Sequence, residues 1–250
     1  MHTIEKTYQS VRLLTAGLSL LVSLTLLATT ALAGPQVEII NPTMNFGRVT
    51  QNKVVTTDFY VKSIGDEPLK ITTLWSGCGC MELPLPDSIV QPGDSIQLRI
   101  TFSTGQMMGL VVKRPTVQTS ASEAVIKLSI VAEIMAKPED GYPVVLLPDA
   151  VDVAQFGQKT RRFGTFSLTN KSSEDLRVIV VDSAFKSFEV KVPELVKAGQ
   201  TIEGRLRVID KMLEEDFQES VTFRFEGKES YYYTLPVVRT YRPLDRQSSQ

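Results

Sequence analysis

Histidine is nearly absent from this chain of 250 residues: only His2 occurs. It stands ahead of an apolar run, "LLTAGLSLLVSLTLLATTALA", that follows Lys6 and Arg12 and closes on the small residues Ala31 and Ala33. That layout predicts a signal peptide over residues 1–33, cut after Ala33. The competing expectation is an uncleaved anchor, since a bilayer span takes roughly 20 apolar residues. The Thr and Ser content and the Ala-x-Ala ending favour removal. No cysteine follows the run, so a lipid-anchored form is not expected. Once His2 is removed no imidazole remains, which excludes catalytic triads, histidine general bases and histidine-ligated metals.

Other absences narrow the field further. There is no G-x-S-x-G, no G-x-x-x-x-G-K-S/T and no G-x-G-x-x-G, so no nucleophile elbow, P-loop or dinucleotide fingerprint is present. An enzyme is not expected. Charge of either sign is not in excess: 27 Lys and Arg face 28 Asp and Glu, which gives no basis for nucleic-acid binding. No segment after Ala33 carries a long helical period; "KMLEEDF" (211–217) reads as one helical turn or an acidic loop. The carboxylates of "LEEDFQE" (213–219) lack the alternating spacing of a calcium loop and read as charged surface.

What the chain does contain is short β segments. "VVTTDFYVKS" (54–63), "LKITTL" (69–74), "SIQLRITF" (95–102), "VIKLSIVAEI" (125–134), "RFGTFSLTN" (162–170), "LRVIVV" (176–181) and "SVTFRFEG" (220–227) are rich in β-branched and aromatic residues, and most alternate. Turn-forming stretches separate them, among them "IGDEP" (64–68), "QPGD" (91–94), "NKSSED" (170–175) and "KAGQ" (197–200). The pattern occurs twice. Val90, Gly93, Ile96, Ile100 and Phe102 correspond to Val196, Gly199, Ile202, Leu206 and Val208, and "NFGRV" (45–49) is set against "QFGQK" (155–159). The expected fold is therefore all-β, two tandem immunoglobulin-like sandwiches after the cleaved signal peptide. The expected boundaries are 34–137 for the first domain, 138–143 for a linker in "AKPEDGYP", 144–241 for the second domain and 242–250 for a polar tail.

The Phe-Gly step, the turn before "PLKI", the "CGC" at 78–80 and "PGDSIQLRITF" (92–102) together resemble a bacterial family of secreted Ig-like domains of unknown function, DUF1573. They are also similar to the wider group of Hydin-type and major-sperm-protein-like domains. The full motif set falls between Phe46 and Ile134; the second copy shows only the generic pattern. The resemblance implies an Ig-like sandwich and leaves activity open.

Both cysteines of the chain, Cys78 and Cys80, lie in that motif. Aligning the copies on Leu69 and Leu176 sets Cys78 against Phe185 and Cys80 against Ser187, so the second domain builds the same corner without thiols. Three readings stay open. The pair is a local disulfide, or two semi-buried thiols, packed under Trp75. Alternatively it is a soft-metal site for Cu(I), with Met81 and, if their loop folds over, Met107 and Met108 adding thioether sulfur. Or it is a labile redox pair. No other cofactor is expected.

"YYY" (231–233) reads as a strand with one aromatic face buried, "KTRR" (159–162) as a solvated turn, and "NKS" at Asn170 as a glycosylation sequon if the host glycosylates. The functional expectation is an exported, non-enzymatic binding or structural module of the bacterial envelope, periplasmic or secreted. Its partners would be envelope or extracellular proteins, met at strand edges or in the interdomain groove, with the membrane touched only through an uncleaved signal peptide. The alternative is a periplasmic Cu(I) or thiol-redox protein centred on Cys78 and Cys80. Intact mass of the exported protein is expected to place its N-terminus at Gly34; a mass that retains residues 1–33 would establish an anchor instead.

Overall fold

Val55, Phe59 and Val61 alternate along one strand and all are buried in a single core, as period-2 patterning requires. The even-numbered Thr56 and Asp58 between them are buried too, so this strand is covered on both faces. The computed structural model describes residues 34–85, 88–181 and 186–243. The expected signal peptide with Ala31 and Ala33, the position Phe185 and the tail beyond 243 lie outside the described residues. Among those described there is no α-helix, only strands and two short 3-10 turns, Pro138–Asp140 and Asp210–Met212.

The first half of the chain runs through β1 (Val37–Ile40), β2 (Thr43–Thr50), β3 (Val54–Ser63), β4 (Leu69–Trp75), β5 (Met81–Glu82), β6 (Ile89–Val90) and β7 (Ser95–Ser103). It continues through β8 (Gly109–Lys113), β9 (Thr116–Thr119), β10 (Ser122–Lys127) and β11 (Ser129–Met135). One sheet has the order β1-β3-β7-β5. The facing sheet has β6-β4-β9-β10 at one end and β8-β11-β2 at the other. A hydrogen bond from the Leu128 N–H to the Pro115 carbonyl, 2.9 Å, links the β9–β10 ladder to β8–β11, and the latter continues through β2 into the strands of the second half. Phe46, Phe59, Leu69, Leu98, Ile100 and Phe102 fill the space between the layers.

The second half comprises β12 (Val144–Leu147), β13 (Val151–Asp152), β14 (Phe163–Asn170), β15 (Leu176–Val180), β16 (Phe188–Lys191), β17 (Leu195–Val196), β18 (Thr201–Val208), β19 (Phe217–Glu226) and β20 (Ser230–Arg239). Its sheets, β12-β14-β18-β16 and β17-β15-β19-β20 with β13 parallel to β20, repeat the order of the first domain, with β19 running unbroken where the first domain has β8 and β9 and β20 where it has β10 and β11. Leu69 pairs with Val90 where Leu176 pairs with Val196, and the turn glycines Gly93 and Gly199 both have positive φ, 82° and 71°. Two tandem Ig-like sandwiches are the architecture.

The Phe-Gly steps do not correspond. In β2 the Gly47 N–H takes the Asn45 side chain at 2.8 Å, and after β13 the Ala154 N–H takes Asp152 in the same way at 2.7 Å. The counterpart of Phe46-Gly47 is thus Val153-Ala154, both buried, while Phe156 is 65% exposed. Sequence identity of the dipeptide outweighed register in the earlier expectation.

The two domains share a seam. β2 pairs in parallel with β11 on one side and meets β20 on the other at Arg48 and Tyr233. Gly47, at φ 60°, allows this: a Cβ there would stand 2.0 Å from the Tyr232 carbonyl oxygen. The Arg48 guanidinium lies 5.6 and 5.5 Å from the ring centres of Tyr231 and Tyr233 and pairs with Glu133 at 3.0 Å. Beside it the Thr234 hydroxyl donates to the Phe46 carbonyl at 2.6 Å. Burial pushes the Tyr233 phenol up from its ordinary pKa, against the Val144 N–H that it accepts. The tyrosines therefore serve the second core and the seam.

A charged trio closes the other side. Arg99 on β7 pairs with Asp58 on β3 at 2.9 Å and with Glu219 on β19 at 3.1 Å, and both acids are buried. Its hydrogen bonds with Asp58 hold the guanidinium above its ordinary range despite desolvation. The Thr56 N–H donates to the Ser220 hydroxyl at 3.0 Å. The expectation that 213–219 is charged surface fails at Glu219, because the first domain covers it. Asn170 is also fully buried, donating to the carbonyls of Glu174 and Val196, so it is closed to glycosylation. Between the domains remains a cavity of about 20 Å³ lined by Arg48, Thr50, Leu146, Asp149 and Tyr233. That admits one water and no peptide.

Gly47→Ala is expected to destabilise the protein by about 2–4 kcal/mol, since the methyl meets backbone at a left-handed position. Gly157→Ala, with open space around it, is expected to stay within about 0.5 kcal/mol of wild type. Urea unfolding of the two variants reads the difference; equal midpoints would dissolve the distinction between the two Phe-Gly steps.

Candidate functional site

After Trp75 the chain leaves the sheet that holds β4 and crosses to the sheet that holds β7, and Cys78-Gly79-Cys80 is the corner of that crossing. Met81 then pairs with Phe102. The Cys80 carbonyl accepts the Ser103 N–H at 2.8 Å and ties the end of the corner to β7. The Cys78 carbonyl accepts the Ser76 hydroxyl at 3.1 Å and the Met81 N–H at 3.3 Å, which tightens the turn. Gly77 holds φ at 83°, a conformation that favours glycine.

The two cysteines are joined by a disulfide with their Cα atoms 5.2 Å apart. Both are half-buried at the rim of the first core, and Gly79 between them is exposed, with nothing near the place a Cβ would take. Trp75 is 58% exposed, and its ring lies at van der Waals distance, 3.6 Å, from a Cβ built on Gly77 at the start of the corner. Sulfurs engaged with each other offer no thiolate to Cu(I). Met81 is buried in the core, Met107 packs against that core, and Met108 is exposed ahead of β8. The structure thus brings Cys78 and Cys80 together and uses Met81 and Met107 as core. Among the described residues no group of three or more His, Cys, Asp or Glu side chains is placed to hold a metal.

The second domain turns the same corner without sulfur. The Ser187 carbonyl accepts the Ile209 N–H at 3.0 Å, as the Cys80 carbonyl accepts that of Ser103. Ser187 is buried and its N–H donates to Glu219 at 3.3 Å; Lys186 beside it donates to Gln97 of the first domain. This corner is part of the seam.

Sequence reasoning missed the surface beside the cysteines. Because β4 ends at Trp75, β8 has β11 on one side and, among the described residues, no strand on the other. Leu110 is 73% exposed, Met108 67% and Val112 44%, on the same outer face as Trp75. The Gly77 turn lies against the Arg114 carbonyl, so the corner stands at the end of this open edge. Between Gly105 and Ser122 the chain carries Lys113 and Arg114 and no acid. The signal was a "GLVVK" stretch with no polar alternation, which reads as a strand buried on both faces when neighbours are unknown.

Residues 37–134 match the family described as "Protein of unknown function (DUF1573)". No curated protein matches the chain significantly. A Porphyromonas gingivalis protein of unknown function is similar at 10% identity and a TM-score of 0.36, over 82% of this chain and 100% of that one. The Escherichia coli chaperone DraB is similar at 11% identity and a TM-score of 0.33, over 80% of this chain and 97% of that one. A Caenorhabditis elegans member of the MSP family is similar at 12% identity and a TM-score of 0.33, over 40% of this chain and 99% of that one.

Replacing both cysteines by serine is expected to lower stability by no more than ~1.5 kcal/mol, against ~3 for a 15-residue loop, because so short a bridge restrains little unfolded chain. A loss several times larger in chemical unfolding would make the bridge a structural staple.

Proposed function

We propose that the protein is an exported, non-enzymatic binding module whose first domain takes up an extended segment of another envelope or extracellular protein along β8. One observation carries this reading. The stretch of β19 that lies beyond the reach of β15 corresponds to β8, which lies beyond the reach of β4. In the second domain the end of that stretch is covered by the first domain, through Ser220 to Thr56 and Glu219 to Arg99, while Gln218 before it stays exposed. In the first domain the matching end is Lys113 and Arg114, and among the described residues no strand pairs with the outer side of β8.

The physical reason for occupation is twofold. An unpaired strand edge presents N–H and C=O groups that a partner strand satisfies by β-augmentation. The apolar side chains of Met108, Leu110 and Val112 flank that edge, so a partner segment with alternating apolar residues gains burial along with backbone pairing. Lys113 and Arg114 at the far end favour a carboxylate on the incoming segment. The filled seam supports the edge, and not the interdomain groove, as the place of contact.

Trp75 is the only tryptophan of the chain, so its emission reports on this face directly. An extended peptide alternating Val with Thr and ending in Glu is expected to shift that emission to the blue and shield it from acrylamide. A Leu110→Ser, Val112→Ser variant is expected to weaken the peptide at least about tenfold. Unchanged emission at saturating peptide, or equal affinity in the variant, would refute docking on β8.

A further inference from the structure

We infer that the Cys78–Cys80 disulfide is a thiol–disulfide exchange site that oxidises a dithiol in the polypeptide docked on β8. The inference rests on the docking reading for its substrate, a protein thiol presented along that edge.

Three observations lead to it. First, the bridge is dispensable to the fold, since the second domain makes the same corner with buried Ser187 and the same carbonyl-to-strand hydrogen bond. Second, it is accessible: both cysteines are half-buried, Gly79 is open to solvent and none of the described residues comes near the place its Cβ would take. Third, the corner is a contact point. In the second domain the equivalent Lys186 reaches the docked neighbour at Gln97, while Ser187 donates to Glu219 of its own domain, which in turn pairs with Arg99 of the first. A polypeptide seated on β8 therefore meets the disulfide corner where the first domain meets Lys186.

The chemistry balances within the pair of proteins. A partner cysteine, having lost its proton to solvent, attacks one sulfur; the Cys78–Cys80 bond breaks, a mixed disulfide forms and the other sulfur leaves as a thiolate. Left alone, that thiolate closes back, because it is held within the same short turn. A second partner cysteine, as its thiolate, instead attacks the partner sulfur of the mixed disulfide; the bond to the protein breaks, the partner's disulfide forms and the protein sulfur leaves, so that Cys78 and Cys80 end as a dithiol. Two electrons and two protons pass from partner to protein.

The test uses the full chain in its oxidised form and three peptides: an apolar Val/Thr strand with two cysteines, a polar peptide with the same cysteine spacing, and a serine twin of the apolar one. The apolar dithiol is expected to be oxidised one for one, at least about tenfold faster than the polar dithiol, with the excess lost in the Leu110→Ser, Val112→Ser variant. Mass spectrometry after alkylation reads both products. Equal rates for the two dithiols, or no oxidation at all, overturn the exchange inference. The serine twin separates the two failures: if it shifts Trp75 emission while no dithiol is oxidised, docking stands and exchange falls, and if it binds nowhere, both fall.

Discussion

The close approach of β2 to β20 is the constraint from which the rest of the arrangement follows. It brings two backbones together where no Cβ fits, which is why Gly47 faces the Tyr232 carbonyl, and it fixes how each domain is oriented on the other. Once that contact is made, β3 and β7 lie on the start of β19, and Asp58 and Glu219 are withdrawn from water while Arg99, which pairs with both, stays partly exposed. Buried charges of this kind contribute little net stability when paired and are strongly destabilising when one partner is lost. The trio therefore acts more to specify the seam than to strengthen it.

The same seam explains why the candidate site lies on the first domain. Both domains leave part of one strand unpaired at the corner where the chain changes sheets. In the second domain that edge is occupied from within the molecule, and its corner is furnished with Ser187 and Lys186. In the first no strand among the described residues pairs with it, apolar side chains flank it, and its corner holds the disulfide. Ala154 stands where Gly47 stands, so the second domain cannot repeat the β2 approach onto another β20-like strand without its methyl meeting backbone. On the proposed reading, the edge of the first domain that is open among the described residues takes a different partner.

Much of the fold was legible in the chain. The repeated Pro/Ala-Gly turn before a strand, with Val90, Ile96, Ile100 and Phe102 matched by Val196, Ile202, Leu206 and Val208, is a local pattern, and local patterns survive in sequence because turn geometry and strand period act over a few residues. The corner at Cys78 and Cys80 was legible for the same reason. The match of Phe156-Gly157 to Phe46-Gly47 misled, since a dipeptide carries no register. Glu219, Asn170, Leu110 and Val112 were misread or passed over because their exposure depends on strands that are not their neighbours in sequence.

By itself, the sequence determined the strands, the turns between them, the doubling of the domain and the lone pair of cysteines, all of which follow from residue period, glycine and proline placement and counting. Tertiary structure alone decided which polar faces are buried, which strand edge is left open and what stands beside the disulfide. Burial is a property of pairs of surfaces, and nothing in the alternation of a single strand states whether its outer face meets water or another domain.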